Sequence, residues 1–396
     1  MLPGTPAQKS GLSAGDEILT VNGIPLARLE VDQLIQVLSE TRQRQAHLDV
    51  RKPGNSRVLQ FTLTPEELQA PSVDRAFLLK PGIGYLRVTS FDAETGAQIK
   101  AAIDKLGGSA LHGLVLDLRD NPGGVLDAAL QTAALFLKPE TKVLSVRGRS
   151  IQASDANVPK GSVPYTFELA VLLNGKSASA SEIVAGALQD HDRAVIVGEA
   201  SFGKGLVQNV YPLSGGAGLA LTTAFYYTPS GRSIQKPLAE GQIGADDAEA
   251  KKDFRTDSGR AVRGGGGIRP DFEALPEPMN RFRMVLEASG AFTQFATEYV
   301  HQHPGITADF EVAPALLDQF QLYLSARNIR PAVTEWSSER DWIANRLKAG
   351  IFDQTLGVER GDEVEAQRDP VILTALDKLG ATLRPAETMR ASSGSY

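Results

Sequence analysis

Along this chain the hydrophobic positions alternate between two periods, and each change of period marks an element. Leu169 to Leu173 is an unbroken apolar run, which predicts a strand buried on both faces. Leu114 to Leu118 repeats the pattern, and Ile83 to Val88 and Ala194 to Val197 read as further strands. Between them the spacing becomes helical. Ile99, Ala102, Ile103 and Leu106 fall on one face of a helix predicted over Glu94 to Leu106, and similar periodicity predicts helices over Val125 to Leu137 and Ser181 to Leu188. Leu206 to Leu213 and Leu219 to Tyr227 return to strand. Strands interleaved with helices predict a mixed core of α/β or α+β type.

The flanks read differently. Glycine-led turns at Gly11, Gly15 and Gly23 frame a short alternating strand. An amphipathic helix with Val31, Leu34, Ile35 and Leu38 on one face follows, then strands at Ala46 to Arg51 and Val58 to Leu63. Pro65 to Arg75 is polar and reads as a linker. From Pro276 the chain turns helical, with helices predicted over Met279 to Ala288, Phe292 to His301, Pro314 to Arg327, Glu339 to Gly350 and Pro370 to Leu379. The last has Asp369 as its cap and Pro370 at its first position. Residues 236 to 262 are charged and irregular, which predicts a mobile surface insertion, and Glu387 to Tyr396 reads as a disordered tail. The domain expectation is 1–66, 67–275 and 276–386, followed by the tail.

Composition narrows the chemistry. The 396 residues, 42% of them apolar, suffice for two or three cores. A net charge of −6 leaves no electrostatic footprint for nucleic acid or an anionic membrane. The absence of cysteine excludes disulfides, thiolate metal sites and a cysteine nucleophile. No run approaches the roughly 20 apolar residues of a membrane-spanning helix, and no charged-then-apolar leader opens the chain. His301 and His303 lack matching carboxylates and read as a solvated helix end, so no metal or cofactor is expected.

The strongest chemical signal lies between the strand at 169–173 and the helix after it. Asn174 and Gly175 break the strand, and the small residues Ser177, Ala178, Ser179 and Ala180 lead into the helix, whose first N–H groups have no partner within it. Such a turn presents a nucleophile beside backbone donors. Ser177 lies deep in the turn and Ser181 is expected to cap the helix, which leaves Ser179 at the bend beside the Ala180 N–H. A serine needs a base. Of the five histidines only His191 is close in sequence, in the polar loop Asp190-His191-Asp192 at the far end of the helix, where a solvated role is expected. Lys204, flanked by Gly203 and Gly205 between apolar strands, is the better candidate. Desolvation there is expected to lower its pKa from about 10.4 toward neutrality. Gln208 is placed to orient the amine. Gly198 to Lys204 also fits the start of a phosphate-binding loop, but Gly205 replaces the Mg²⁺-ligating hydroxyl and a strand, not a helix, is predicted next.

The runs SASASEIVAGALQD and GEASFGKGLVQ resemble the carboxyl-terminal processing (tail-specific) serine proteases, a resemblance extending over about residues 1 to 275. It implies a Ser-Lys pair at Ser179 and Lys204 with Gln208 in support, on a ClpP/crotonase-like protease core. Asp117 to Gly124 is similar to the family's DLRxNPGG motif, which implies one oxyanion donor from Gly123 or Gly124 and a second from Ala180. Asp117, Arg119 and Asp120 are expected to form a structural ion-pair and capping cluster. Thr222 to Gln235 and the stretch 264–271, its glycines 264–267 followed by Ile268-Arg269-Pro270-Asp271 and expected as a closing strand, also resemble the family. The first segment resembles the middle of a PDZ module, so the chain is expected to be N-terminally truncated. PDZ domains take extended C-termini by strand addition. The resemblance implies an endopeptidase of the cell envelope or periplasm, acting on proteins with apolar C-termini through an acyl-enzyme. A homo-oligomer, with the helical domain as contact or lid, is also expected. The alternatives are a non-catalytic binding protein on the same fold and a latent protease with Lys204 held away from Ser179.

Overall fold

The structure, a computed structural model, describes residues 5–13, 15–52, 55–66, 71–149, 152–236 and 253–379. Two compact units form: residues 1–70 with 278–366, and residues 71–277 with 367–396. The chain therefore leaves the first unit, builds most of the second, and returns.

The first unit opens with α1 (Pro6–Lys9), β1 (Glu17–Val21), β2 (Ile24–Pro25), α2 (Val31–Glu40), β3 (Ala46–Arg51) and β4 (Val58–Leu63). The four strands form an antiparallel sheet in the order β2-β1-β3-β4. Period-two alternation drives Ala46, Leu48 and Val50 inward, where they join Leu12 and Val21 in a small core. The helix with the clearest apolar face does not bury it. No residue of α2 is buried, and Val31, Ile35 and Leu38 are exposed.

The second unit contains β5 (Val73–Lys80), β6 (Ile83–Val88), α3 (Thr95–Leu106), β7 (Gly113–Asp117), α4 (Leu126–Ala134), β8 (Lys142–Arg147), β9 (Ser154–Asn157), β10 (Glu168–Leu173), α5 (Ala180–Asp190), β11 (Val195–Gly198), β12 (Leu206–Pro212), β13 (Gly218–Tyr227), β14 (Asp253–Arg255), β15 (Ala261–Arg263) and β16 (Phe272–Glu273). Its main sheet runs β16-β11-β10-β7-β6-β5, parallel except for β5 at one edge. A parallel sheet covered by helices explains the unbroken apolar strands: every residue of β7 is buried, and all of β10 but its first. Ile99 and Ile103 of α3, Ala129 of α4 and Val184 and Leu188 of α5 share one core with Leu116 and Val171. An antiparallel sheet, β12-β13-β8-β9, and the hairpin β14-β15 complete the unit.

The chain then returns to the first unit with α6 (Arg281–Ala288), α7 (Ala291–Gln302), α8 (Pro314–Ala326), α9 (Val333–Thr355) and α10 (Val358–Ala366). They enclose an aromatic core built on Phe292, Phe295, Phe320 and Trp336. The last helix, α11 (Pro370–Lys378), belongs to the second unit and packs on β10, β11 and β7. Val371, Ile372 and Ala375 are its buried face.

The mixed α/β class read from the sequence is the class observed. Several segments differ. The expected linker ends in a strand, β5, and α10 was not predicted. Residues 253–262 of the expected irregular insertion belong to a hairpin that ends at 263, whereas 237–252 lie outside the described residues, as does the expected disordered tail. The closing strand falls not on residues 264–271 but immediately after them, on β16. The helix at Pro370, expected with its neighbours in a helical domain, sits on the core sheet instead.

Candidate active site

The serine turn is fixed from below before any chemistry is considered. β10 ends at Leu173, and Asn174 organises the turn: its side-chain oxygen accepts from the N–H of Lys176 and of Asp120, and its own N–H donates to Ser177 Oγ. Ser177 Oγ donates in turn to the Leu118 carbonyl at 2.8 Å, and Ser181 Oγ to the Asn121 carbonyl at 3.0 Å. Two of the three candidate hydroxyls are thus spent on backbone. Ser181 does not cap the helix, because Ser179 occupies the cap position. Ser179 has φ 54° and ψ −111°, outside the regions open to ordinary side chains, and its hydroxyl has no hydrogen-bond partner among the described residues.

Glu182 holds this conformation. Its carboxylate is fully buried and accepts four hydrogen bonds. One oxygen takes Ser201 Oγ at 2.5 Å and the Gly203 N–H at 2.7 Å. The other takes the Ser179 N–H and the Lys204 N–H, both at 2.8 Å. The backbones of the two candidate residues therefore meet on a single oxygen atom. Phe202 N–H, donating to the Ser177 carbonyl at 2.9 Å, adds a second tie between the lysine loop and the serine turn. Burial pushes the Glu182 carboxyl above its ordinary range, against the hydrogen bonds that favour its charge. Ser201 Oγ accepts from the Ile268 N–H, so its own proton points at the carboxylate. Sequence reading passed over Glu182. The available signal was the spacing Ser179-x-x-Glu182 ahead of an apolar helix, a capping-box pattern in which the N3 carboxylate reaches back to the cap N–H.

Lys204 lies in an extended, glycine-flanked loop, and a side chain at Gly203 or Gly205 would collide with Lys236 or Gln235. The residue is exposed, which corrects the expectation that apolar strands desolvate it. β12 is itself exposed along most of its length, so it does not wall in the amine. Among the described residues no hydrogen bond links Lys204 Nζ to Ser179 Oγ. Gln208 lies exposed on β12, at a bulge that pairs it with Thr222, and no hydrogen bond joins it to Lys204. A strand follows Gly205, so the loop lacks the helix a phosphate site requires.

The glycine pair after β7 lies beside the serine turn. A Cβ on Gly123 would sit 2.7 Å from the Ala178 carbonyl oxygen and 2.8 Å from Ser179 Cβ, so only glycine permits this approach. The Gly123 N–H donates to Asn121 Oδ1 at 2.9 Å. The N–H groups of Gly124 and Ala180 have no acceptor among the described residues. Asp117 and Arg119 form a bidentate pair, Tyr85 donates to Asp117, and Asp120 meets Asn174 and Lys176. His191 caps the far end of α5. It is not solvated as expected: Nε2 lies 2.7 Å from the Lys142 carbonyl and Nδ1 2.7 Å from Asp257.

Residues 82–244 match the model of peptidase family S41, and residues 1–52 that of the PDZ domain. Over these residues the chain is similar to peptidase family S41, with a segment similar to a PDZ domain ahead of it. It is 38% identical over 239 residues to the carboxyl-terminal-processing protease of Synechocystis sp., covering 59% of this chain and 55% of that one. It is 40% identical over 238 residues to the carboxy-terminal-processing protease of Bartonella bacilliformis, covering 58% and 54%. The photosystem II D1 C-terminal processing protease is similar in structure, with TM-score 0.42, 29% identity and coverage of 70% of this chain and 68% of that one. The chain spans about half the length of the curated relatives it matches.

Proposed function

We propose that the second unit is the catalytic domain of a serine endopeptidase that cuts protein chains near their C-termini, with Ser179 as nucleophile and Lys204 as base. The observation that carries this reading is the Glu182 oxygen shared by the two backbones, beside the one serine of the turn whose hydroxyl is unspent. The Lys204 amine takes the Ser179 proton as Oγ bonds to the scissile carbonyl carbon. The proton passes to the departing amine, the C–N bond breaks, and an acyl-enzyme remains. Water, deprotonated by the same lysine, then hydrolyses the ester. Ala180 and Gly124 supply the oxyanion donors, since the Gly123 N–H is already committed to Asn121. Lys204 is exposed, and a substrate strand laid over β12 and the serine turn excludes water from its amine. The names of the relatives and the PDZ domain support substrates presented by their C-termini, and family resemblance supports action in the cell envelope.

Hydrolysis of an unstructured protein with an apolar C-terminus tests the assignment. Ser179→Ala and Lys204→Ala are each expected to reduce it to background without loss of fold, and full activity in either variant refutes the roles given.

A further inference from the structure

Asp369 stands at the start of α11, far in sequence from every residue of the proposed site. Its two carboxylate oxygens have separate duties. Oδ1 caps the helix, accepting from the N–H of Val371 at 2.8 Å and of Ile372 at 3.3 Å. Oδ2 accepts from Arg119 Nη1 at 2.8 Å. Arg119 is gripped from the other side by Asp117, through Nε and Nη2, and its own N–H also donates to Asp117. The pair is largely shielded, with the Arg119 and Asp369 side chains 18% and 24% exposed. Such a guanidinium held in plane by two carboxylates is geometrically fixed in a way a single surface pair is not.

What Arg119 anchors gives the contact its meaning. The next residue, Asp120, has φ 59°, a strained conformation for a side-chain-bearing residue, and it begins the turn that carries Asn121, Gly123 and Gly124. That turn meets the nucleophile segment directly, since the Asn121 carbonyl accepts from Ala178 N–H and Ser181 Oγ. Fixing Arg119 therefore fixes the root of the oxyanion turn. α11 is itself seated on β10 and β11, with the Leu379 side chain against Gly113 of β7, so Asp369 is held by the same sheet that carries the site.

We infer that Asp369 is a positioning residue for the proposed oxyanion turn, acting through Arg119. The inference rests on the peptidase reading above and assigns a role in it to a helix outside the 82–244 peptidase match. Deleting an oxyanion donor outright typically costs about 10² to 10³ in kcat, and loosening the turn that aims it costs a part of that.

Two substitutions separate the duties of the carboxylate. Asn is as good a helix cap as Asp but carries no charge for Arg119, whereas Glu keeps the charge and caps poorly. Purified full-length wild type, Asp369→Asn and Asp369→Glu are compared for kcat, KM, affinity for a peptide aldehyde that mimics the tetrahedral intermediate, and melting temperature. The expected result is a kcat about tenfold lower for Asp369→Asn, with KM within about twofold, aldehyde affinity falling in step with kcat, and kcat largely kept in Asp369→Glu. An Asp369→Asn variant with wild-type kcat overturns the inference and leaves the peptidase reading intact. So does loss of kcat in both variants in parallel with melting temperature, which assigns Asp369 to stability alone. A wild-type chain that hydrolyses nothing overturns the reading and the inference together.

Discussion

At the scale of single residues, Glu182 is the atom-level centre of the site, and its chemistry gives a pH prediction. Three of its four partners are backbone N–H groups, which cannot accept a proton in return. A proton on either oxygen displaces one of these donors or turns the Ser201 hydroxyl around, so the full set of ties requires the carboxylate. Burial raises its folded value above the ordinary 4.5. The folded chain thus binds this proton at a pH where the unfolded chain does not, so the group's contribution to stability is present at low pH and is lost as pH rises through the folded value. Activity runs the other way. On acidification hydrolysis is expected to fall while the pH is still above 4.5, before the fold weakens, which parallel activity and circular dichroism titrations measure. Glu182→Gln puts an amide where an acceptor stood for two N–H or O–H donors and is expected to lower kcat by at least about tenfold at every pH. Wild-type activity in that variant removes Glu182 from the site.

At the scale of elements, α5 is pinned at both ends. Glu182 holds its first turn, and at its last turn Asp190 pairs with Arg232, each side chain 1% exposed. Arg232 also donates to Gln189, while its Nε has no partner among the described residues. Burial lowers the Arg232 value, and Asp190 offsets this. A buried pair broken on one side leaves the other charge stranded, so Arg232→Ala is expected to destabilise the second unit by about 3–5 kcal/mol, read by calorimetry. A change under about 1 kcal/mol would show that α5 is held by packing alone.

Much of this element layer was legible. β7, β10 and α5 follow directly from unbroken apolar runs and helical spacing, and the small residues between β10 and α5 marked the turn. β5 was hidden because Val73, Asp74 and Arg75 read as the end of a polar linker. It is an antiparallel edge strand, where one-sided burial permits charge. α11 was legible as a helix but not in its placement, since nothing local in Asp369 says that its partner is Arg119. The exposure of Lys204 was equally out of reach: glycines announce room around a residue, not whether protein or water fills it.

At the scale of the whole molecule, the peptidase domain and the PDZ domain fall in different compact units, and the chain passes between those units at residues 70–71, 277–278 and 366–367. The unspent apolar face of α2 belongs to the first unit, whereas every residue assigned to chemistry belongs to the second. The claim at the centre is thus local to the second unit and has a direct measurement. The chain is incubated with a fluorophosphonate that reacts covalently with activated serines, and the modified residue is located by mass spectrometry in wild type and in Lys204→Ala. A single modification on Ser179 is expected in wild type, with its loss in Lys204→Ala. Modification at another serine, or undiminished labelling of Ser179 without Lys204, would contradict it.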